Sequence, residues 1–332
     1  MGKAGRPRYG SMGVWPRVRA KKTVARVRSV PVETKVKPLA FATYKAGMTH
    51  THIIGQEKNK RSFNQTTSVP VTILECPPMK IASLRLYKKN GTALVVSKQL
   101  NFKMDKEMVR KQKISKKDAR YSTATSISEI KADDFKEITV QVYTTPKSIA
   151  LKKKPELFEV KLGGTNQEKL DWIKEHIDKP ITISDVFAEG QLVDVHAVTK
   201  GKGYQGPMKR FGIGRTQHKS EKAKRNPGSL GGWKAQAHVM YRIAHAGQMG
   251  YHQRTQYNNL VMKISDKPEE VKMDGGIVRY GDVKTTYLLI KGSVAGAKKR
   301  LITLSEPIRP KEKPKFSSES IKLISTKSQQ GR

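Results

Sequence analysis

The stretch from Lys200 to Arg254 constrains this chain more than any other. It opens KGKGYQGPMKRFGIGRTQHKSEKAKRNPGSLGGWKAQAHVM and closes YRIAHAGQMGYHQRT. Twelve Lys or Arg lie in it, Glu221 is its only acid, and ten glycines interrupt it. Its apolar residues are too sparse to build a core, so burial cannot offset the entropy of ordering it. Such a segment is held by a partner that supplies negative charge, and a polyanion fits best. Whatever else the chain folds into has to present this segment to that partner.

The remaining charge is unevenly spread. The 332 residues carry 66 Lys+Arg against 28 Asp+Glu, a formal net charge of +38. A free globular protein repels itself at that charge, and counterion release on a nucleic acid relieves it. Residues 1–38 hold eleven bases against Glu33 alone, and residues 197–254 hold twelve against one. Residues 101–190 hold eighteen against fifteen and read as a charge-balanced domain. An anionic membrane surface fits less well, because no apolar run reaches spanning length and no basic amphipathic helix stands out. Cys76 is the only cysteine, so no intramolecular disulfide forms and a reducing compartment fits. The opening MGKAGRPRYGSMG lacks the apolar core of a secretory signal.

Five stretches follow. Residues 1–38 read as an extended basic arm, in which Tyr9 and Trp15 are interleaved with Lys3, Arg6, Arg8, Arg17, Arg19, Lys21, Lys22, Arg26 and Arg28. Arginine beside aromatics suits phosphate contact plus stacking on exposed bases. Val14 and Trp15 argue for docking rather than a solvated tail. Residues 39–100 read as the first part of an antiparallel, barrel-like sheet. Leu39, Phe41 and Thr43 alternate with Ala40 and Ala42, Lys45–Met48 predicts a turn, and Thr49–Ile54 returns as a strand. Val69–Glu75 is stopped by Pro77-Pro78, and Ile81–Tyr87 and Thr92–Leu100 flank Asn90-Gly91, a strong hairpin signal. Residues 101–190 read as an α/β insertion. It has a helix over Lys103–Lys113, strands at Ile138–Val142 and Leu157–Leu162, and a Thr165/Glu168 capping box. That box opens a helix with Leu170, Ile173 and Ile177 on one face. Residues 191–305 read as the second part of the sheet. Leu192–Thr199 leads into the loop 200–254, and strands at Leu260–Ile264, Gly276–Tyr280, Thr285–Lys291 and Arg300–Leu304 complete it. Residues 306–332 begin with Pro307, Pro310 and Pro314 among lysines and read as a basic tail lying on a surface. The expected fold is mainly β with an α/β insertion, carrying a long extended arm and a finger loop.

Gly201–Gly206 has dinucleotide-binding spacing, but that motif needs a helix N-terminus right after the turn. Pro207 and Lys209-Arg210 follow with no apolar helical period, so these glycines read as letting backbone approach a phosphate chain. His50, His52, His218, His238, His245 and His252 find no cysteine or carboxylate that completes a metal set, and read as polar or RNA-facing. Ser229 has no glycine-elbow context, and the basic loop lacks the paired carboxylates of a two-metal nuclease. No catalytic group, metal, cofactor or small-molecule substrate is expected. Trp233 follows Gly231-Gly232 near the middle of the loop. Its neighbours Lys224, Arg225, Pro227, Gly228 and Lys234 offer no core to join, so it reads as a tip that stacks on or wedges into a partner. The loop residues expected to contact RNA are Lys200, Lys202, Lys209, Arg210, Arg215, Lys219, Lys222, Lys224, Arg225, Trp233, Lys234, Arg242, His252 and Arg254, together with Trp15 and the arm cations above.

At these residues the chain resembles the ribosomal protein L three family of the large subunit, in its archaeal form. Phe187-Ala-Glu-Gly190, Val193-Asp-Val195 and Lys200-Gly-Lys-Gly-Tyr204-Gln-Gly206 are similar to the family's barrel strand and the start of its loop. Gly231-Gly-Trp233, Ala237-His-Val-Met240, Ala246-Gly-Gln248 and Gly250-Tyr-His252-Gln-Arg254-Thr255 resemble its second half. Arg8-Tyr-Gly10-Ser-Met-Gly13, Pro16-Arg17 and Lys45-Ala-Gly-Met-Thr49 resemble archaeal and eukaryotic members. The resemblance implies a closed β-barrel with an α/β insertion, and extensions that thread the large-subunit ribosomal RNA. It implies a cytoplasmic, ribosomal location, neighbouring large-subunit proteins as partners, and a part in early subunit assembly. It also implies a loop that reaches toward the peptidyl transferase centre with Trp233 near its tip, where RNA does the chemistry. Two rivals fit less well. An RNA-modifying enzyme needs a cofactor pocket or an acid/base pair that the sequence does not offer. An RNA chaperone predicts disorder throughout, against the alternating strands.

Overall fold

Runs of β-branched and large apolar residues become strands along most of the chain. They are β1 (Ala40–Ile54), β2 (Thr66–Glu75), β3 (Met79–Asn90), β4 (Ala93–Asn101), β5 (Glu137–Thr144), β6 (Leu157–Lys161), β7 (Leu192–Val198), β8 (Tyr204–Gln205), β9 (Gly247–Gln248), β10 (Gln253–Ser265), β11 (Tyr287–Lys291), β12 (Leu301–Ser305) and β13 (Ile321–Ile324). Among the described residues α-helices are few and short: α1 (Ala124–Ser128), α2 (Asn166–His176) and α3 (Pro207–Phe211). The structure is a computed structural model that describes residues 9–56, 63–113, 121–219, 224–230, 237–312 and 316–328. The chain divides into a larger unit, Thr23–Ala197 with Thr255–Arg332, and a smaller one, Met1–Lys22 with Val198–Arg254.

In the larger unit, hydrogen-bonded neighbours run β12-β7-β10-β11-β2-β1-β13, and β1 also pairs with β12. The pairings therefore return on themselves through six strands, with β13 added along β1. A second antiparallel sheet has the order β4-β3-β5-β6. It begins at Met79, just after Pro77-Pro78, because β3 bonds to β5 along Met79–Tyr87. The Asn90-Gly91 hairpin forms as its sequence predicts, with Asn90 opposite Ala93 and Gly91 at a φ of 59°.

Alternate residues of the first sheet enter different clusters. Val71 and Ile73, Leu260 and Met262, and Tyr287 and Leu289 join one cluster, which Val271, Met273 and Ile277 cover. Leu74, Val261, Leu288 and Ile290 join the other, which runs on through Leu84 and Val140 to Leu170 and Ile173 of α2. Both faces are covered, so β11 reads as an unbroken apolar run rather than an alternating one. The helix α2 starts where its capping box places it: the Thr165 N–H donates to Glu168 Oε2 at 2.8 Å, and Thr165 Oγ1 accepts from the Glu168 N–H.

Two buried carboxylates brace this unit through backbone amides. Glu75 accepts from the N–H groups of Lys284 (2.6 Å) and Thr285 (3.0 Å) and from the Tyr280 hydroxyl. Burial pushes the Tyr280 hydroxyl pKa up, and the Glu75 charge pushes it further. Asp194 accepts from the N–H groups of Asn258 (2.8 Å) and Ile308 (3.1 Å). Each acid fixes the point at which a connection leaves the sheet, and bonds to a charged acceptor are among the stronger ones.

Five expectations change. Ile81–Tyr87 and Thr92–Leu100 do not continue the first sheet; as part of β3 and β4 they join β5 and β6 in the second, because β3 pairs with β5. Lys45–Met48 is not a turn; β1 runs through it, and its register against β2 shifts between Lys45 and Gly47. Gly47 is needed there because a Cβ on it would lie 2.6 Å from Ile277 Cγ2. Gly276–Tyr280 is a turn rather than a strand, closed by a single bridge between Ile277 and Gly281, with Gly276, Arg279 and Gly281 at positive φ. Lys103–Lys113 yields only a 3-10 turn at Lys106–Arg110, with Met108 as its buried anchor. The C-terminal tail is not merely surface-bound, since β13 pairs with Thr51–Ile53 of β1.

Gly47→Ala should therefore destabilise the protein by about 1–3 kcal/mol through overpacking. Adding Ile277→Leu, which removes the offending branch, should recover part of the loss. The urea midpoints of the two variants measure both effects.

Candidate nucleic-acid interface

The smaller unit contains nineteen Lys or Arg and one acid, Glu221. Ion pairing therefore cannot hold it together. A one-turn helix supplies its apolar centre. Gly206 precedes α3, Pro207 takes the first helical position, and Gly212 closes the turn at a φ of 70° with its N–H on Met208 O. This is the usual Pro-first, Gly-last arrangement of a short helix. A helix does follow the Gly201–Gly206 turn, contrary to the sequence expectation. It is a single turn, and β7 before it pairs antiparallel with β12, so this segment is not a dinucleotide-binding βαβ unit.

The arm wraps around Phe211, which α3 buries to 5% exposure. Trp15 stacks on Phe211 with ring centroids 6.0 Å apart, and Tyr241 meets Trp15 edge-on at 5.7 Å. The Arg17 and Arg210 guanidinium carbons lie 4.5 Å and 5.2 Å from the Phe211 centroid, each contact worth about 0.5–1 kcal/mol. Gly10, at a φ of 77°, passes so close that a Cβ would lie 2.7 Å from the Phe211 ring. The docking role read for Trp15 thus exists, with a side chain of the loop as its partner.

Backbone carbonyls take the arginine donors. Arg210 donates from Nε to Gln248 O (3.1 Å), from Nη1 to His245 O (3.0 Å) and from Nη2 to Arg17 O (3.3 Å). Arg17 returns a bond from Nη1 to Arg210 O (3.1 Å). Arg254 donates to Gln253 O (2.7 Å) and Val14 O (3.3 Å). His252 Nδ1 donates to Val18 O (2.8 Å), and the Ala20 N–H donates to Tyr251 O (2.8 Å), with Arg19 over the Tyr251 ring. The two legs of the loop meet beside these bonds. Lys202 N–H donates to Met249 O and Thr199 N–H to His252 O, both at 2.9 Å. Gly250 permits the approach, since a Cβ there would lie 2.1 Å from Lys200 O.

Electrostatics follow from this crowding. Burial pulls the Arg254 pKa down, and it does the same to Arg210 against the opposing effect of Tyr204. Both remain charged, as guanidinium groups do in proteins. Burial also pulls the His252 pKa down, and the positive fields of Arg254, Arg210 and Arg17 reinforce it against the Val18 carbonyl. Between the arm and the base of the loop lies a cleft of about 450 Å³. Val14, Arg17, Thr199, Lys200, Lys202, Arg210, Met249, Gly250, His252 and Arg254 line it.

The residues expected from sequence to contact RNA fall into three groups. Trp15, Arg17, Arg210, His252 and Arg254 are buried or half-buried and come together as the brace just described. Arg19, Lys21, Lys22, Lys200, Lys202, Lys209, Arg215, Lys219, Lys224, Arg225 and Arg242 are exposed on the same unit, and Arg26 and Arg28 are exposed on the larger one. Lys3, Arg6, Arg8, Lys222, Trp233 and Lys234 lie outside the described residues. Sequence reading missed Phe211, Tyr251, Thr199 and Met249. Phe211, flanked by Arg210 and Gly212 in a segment poor in large apolar residues, was the one available signal.

A family model described as "Ribosomal protein L3" matches residues 1–331. The chain is 42% identical over 335 residues to "Large ribosomal subunit protein uL3" of Methanocaldococcus jannaschii, covering 98% of each chain. It is 40% identical over 332 residues to the protein of the same name from Archaeoglobus fulgidus, covering 98% of this chain and 99% of that one. The protein of that name from Nanoarchaeum equitans is 42% identical over 320 residues, 96% of each chain.

Arg210→Ala should release the arm, losing at least about 1.5–3 kcal/mol, the worth of one bond to a charged group. Hydrogen exchange should then rise in residues 9–20 and stay unchanged in the strands of the larger unit. A second outcome concerns pH. A folded-state pKa depressed below the ordinary 6.5 or so means that docking is fully stable above that value and weakens as pH falls through the depressed one. The Ala20 amide should therefore lose protection, after correction for intrinsic rates, as pH falls from about 7 to about 5. His252→Asn should remove that dependence.

Proposed function

The chain belongs to the ribosomal protein L3 family, and we propose that it is a structural constituent of the large ribosomal subunit that binds ribosomal RNA and catalyses nothing itself. The observation that carries this reading is a unit with nineteen cations and one acid in which Arg17, Arg210 and Arg254 are held by carbonyls. A carbonyl satisfies a guanidinium without cancelling its charge, so the unit keeps its field for a phosphate backbone. The exposed cations of the arm and loop contact phosphates and position the protein, with little base readout. Trp15, Arg17, Arg210, His252 and Arg254 serve the same surface by holding its shape.

In this reading the six-strand circuit of the larger unit is a closed barrel, which draws β1 and β2 from residues 39–100 and β7, β10, β11 and β12 from residues 191–305. Residues 101–190 form an insertion, and the arm 1–38, the loop 200–254 and the tail 306–332 reach into RNA. The loop carries Trp233 toward the peptidyl transferase centre and supports that RNA by packing. The protein acts in early subunit assembly, sits on cytoplasmic ribosomes and touches neighbouring large-subunit proteins. No helix among the described residues is long and apolar enough to cross a membrane.

Sedimentation tests the reading. The chain should travel with large subunits on a sucrose gradient and leave that fraction after extensive ribonuclease digestion. Recovery in light fractions under both conditions would overturn it. Replacing one exposed phosphate contact, such as Lys209→Gln or Arg215→Gln, should lower the slope of log affinity against log salt by about 0.7–0.9.

A further inference from the structure

We infer that the cleft between the arm and the base of the loop seats one ribonucleotide of an RNA strand, with its phosphate on the cationic side chains and its 2′-hydroxyl on Nε2 of His252. This rests on the RNA-binding reading above and adds to it a preformed site that distinguishes RNA from DNA.

The cleft is held by bonds between its own lining residues, Arg17 with Arg210, Arg254 with Val14 and His252 with Thr199. Its volume of about 450 Å³ lies within the range of ligand-sized clefts. Arg17, Lys200, Lys202, Arg210 and Arg254 line it, and no carboxylate does. Each guanidinium has five N–H donors. Arg210 commits three of them to carbonyls and Arg254 two, so both have donors left for a phosphate while their planes are already fixed. Lys200 and Lys202 are exposed and add mobile charge at the rim. Arginine forks fixed in advance lose less freedom on meeting a phosphate than free side chains do.

The selectivity lies in the acceptors. Lysine and arginine only donate. The side-chain acceptors in the cleft are the Thr199 hydroxyl and His252. The former accepts from the His252 N–H at 3.1 Å and so anchors the His252 backbone. His252 Nδ1 faces the Val18 carbonyl at 2.8 Å, and a carbonyl cannot donate, so Nδ1 carries the proton. A neutral imidazole then presents Nε2 as an acceptor. The burial and positive fields that lower the His252 pKa keep it in this form. A cleft lined with donors therefore contains one oriented ring acceptor. The sugar group that donates to it is the 2′-hydroxyl, present in RNA and missing from DNA.

The test uses the full chain, with hexauridylate and its 2′-deoxy counterpart as probes in fluorescence anisotropy at equal salt. The wild-type protein should bind the ribo hexamer roughly 2- to 10-fold more tightly, the span expected for one hydrogen bond. His252→Asn puts an amide N–H where Nδ1 was and keeps the Val18 bond, but its Oδ1 falls at the place of the ring Cδ2 and no acceptor remains at the Nε2 position. It should lose the ribo preference and keep its affinity for the deoxy hexamer. If that variant does not fold by circular dichroism, histidine-selective nitrogen NMR of the wild type decides. The Nε2 resonance of His252 should shift with the ribo hexamer and not with the deoxy one. Equal wild-type affinities, a preference that survives in folded His252→Asn, or an unmoved Nε2 resonance overturns the inference. So does uridine 5′-monophosphate competing as well as the hexamer, which would assign the cleft to a free nucleotide. Failure here with intact binding to large-subunit ribosomal RNA removes only this site, whereas loss of both removes the functional reading too.

Discussion

Arginine side chains bonded to backbone carbonyls tie the arm to the base of the loop, and the shape of the arm-and-loop unit depends on them. A segment with one acid cannot neutralise itself, and one buried phenylalanine is a small core. Carbonyl oxygens solve both problems. They satisfy guanidinium donors that burial would otherwise strand, and their partial charges leave most of the positive potential in place. Arg210 shows the economy of this device: its three carbonyl partners, Gln248, His245 and Arg17, come from both the loop and the arm.

The larger unit uses the opposite pairing. Two of its buried carboxylates, Glu75 and Asp194, accept from backbone amides, while a third, Glu306, is met by the side chains of Lys37 and Gln191. Each unit thus matches some of its buried charge to peptide groups, at opposite ends of the peptide dipole. The loop begins after β7 and ends in β10, and these strands are hydrogen-bonded neighbours. The long excursion therefore starts and finishes on adjacent strands, and the Thr199–His252 and Lys202–Met249 bonds continue the approach of its legs.

Local signals were legible wherever local chemistry decides. Asn90-Gly91 made its hairpin, Thr165 and Glu168 made their capping box, and the alternation at Ile138, Val140 and Val142 made a strand. Trp15 marked a packing point, against Phe211. What escaped was decided by partners distant in sequence. Lys45-Ala-Gly-Met48 looks like a turn until Ile277, far along the chain, packs against Gly47. Lys103–Lys113 has helical composition, but only Met108 among Lys106–Arg110 is buried, and one anchor sustains a turn rather than a helix. Sequence alone points the arginines wholly to an outside partner, because it shows a side chain's charge and not the carbonyl that receives it.

The place of β1 among its neighbours also has a consequence in time. One of its edges pairs with β2, made soon afterwards, while the other waits for β12 and β13, which begin at Leu301 and Ile321. At translation rates of about 5–20 residues per second, roughly a quarter of a minute to a minute separates the emergence of β1 from that of its last partners. Throughout that interval a strand of 15 residues offers a bare row of amides and carbonyls to any neighbouring chain. The newborn protein is most open to mispairing along this edge, so a chaperone that attends it during synthesis has most to protect there.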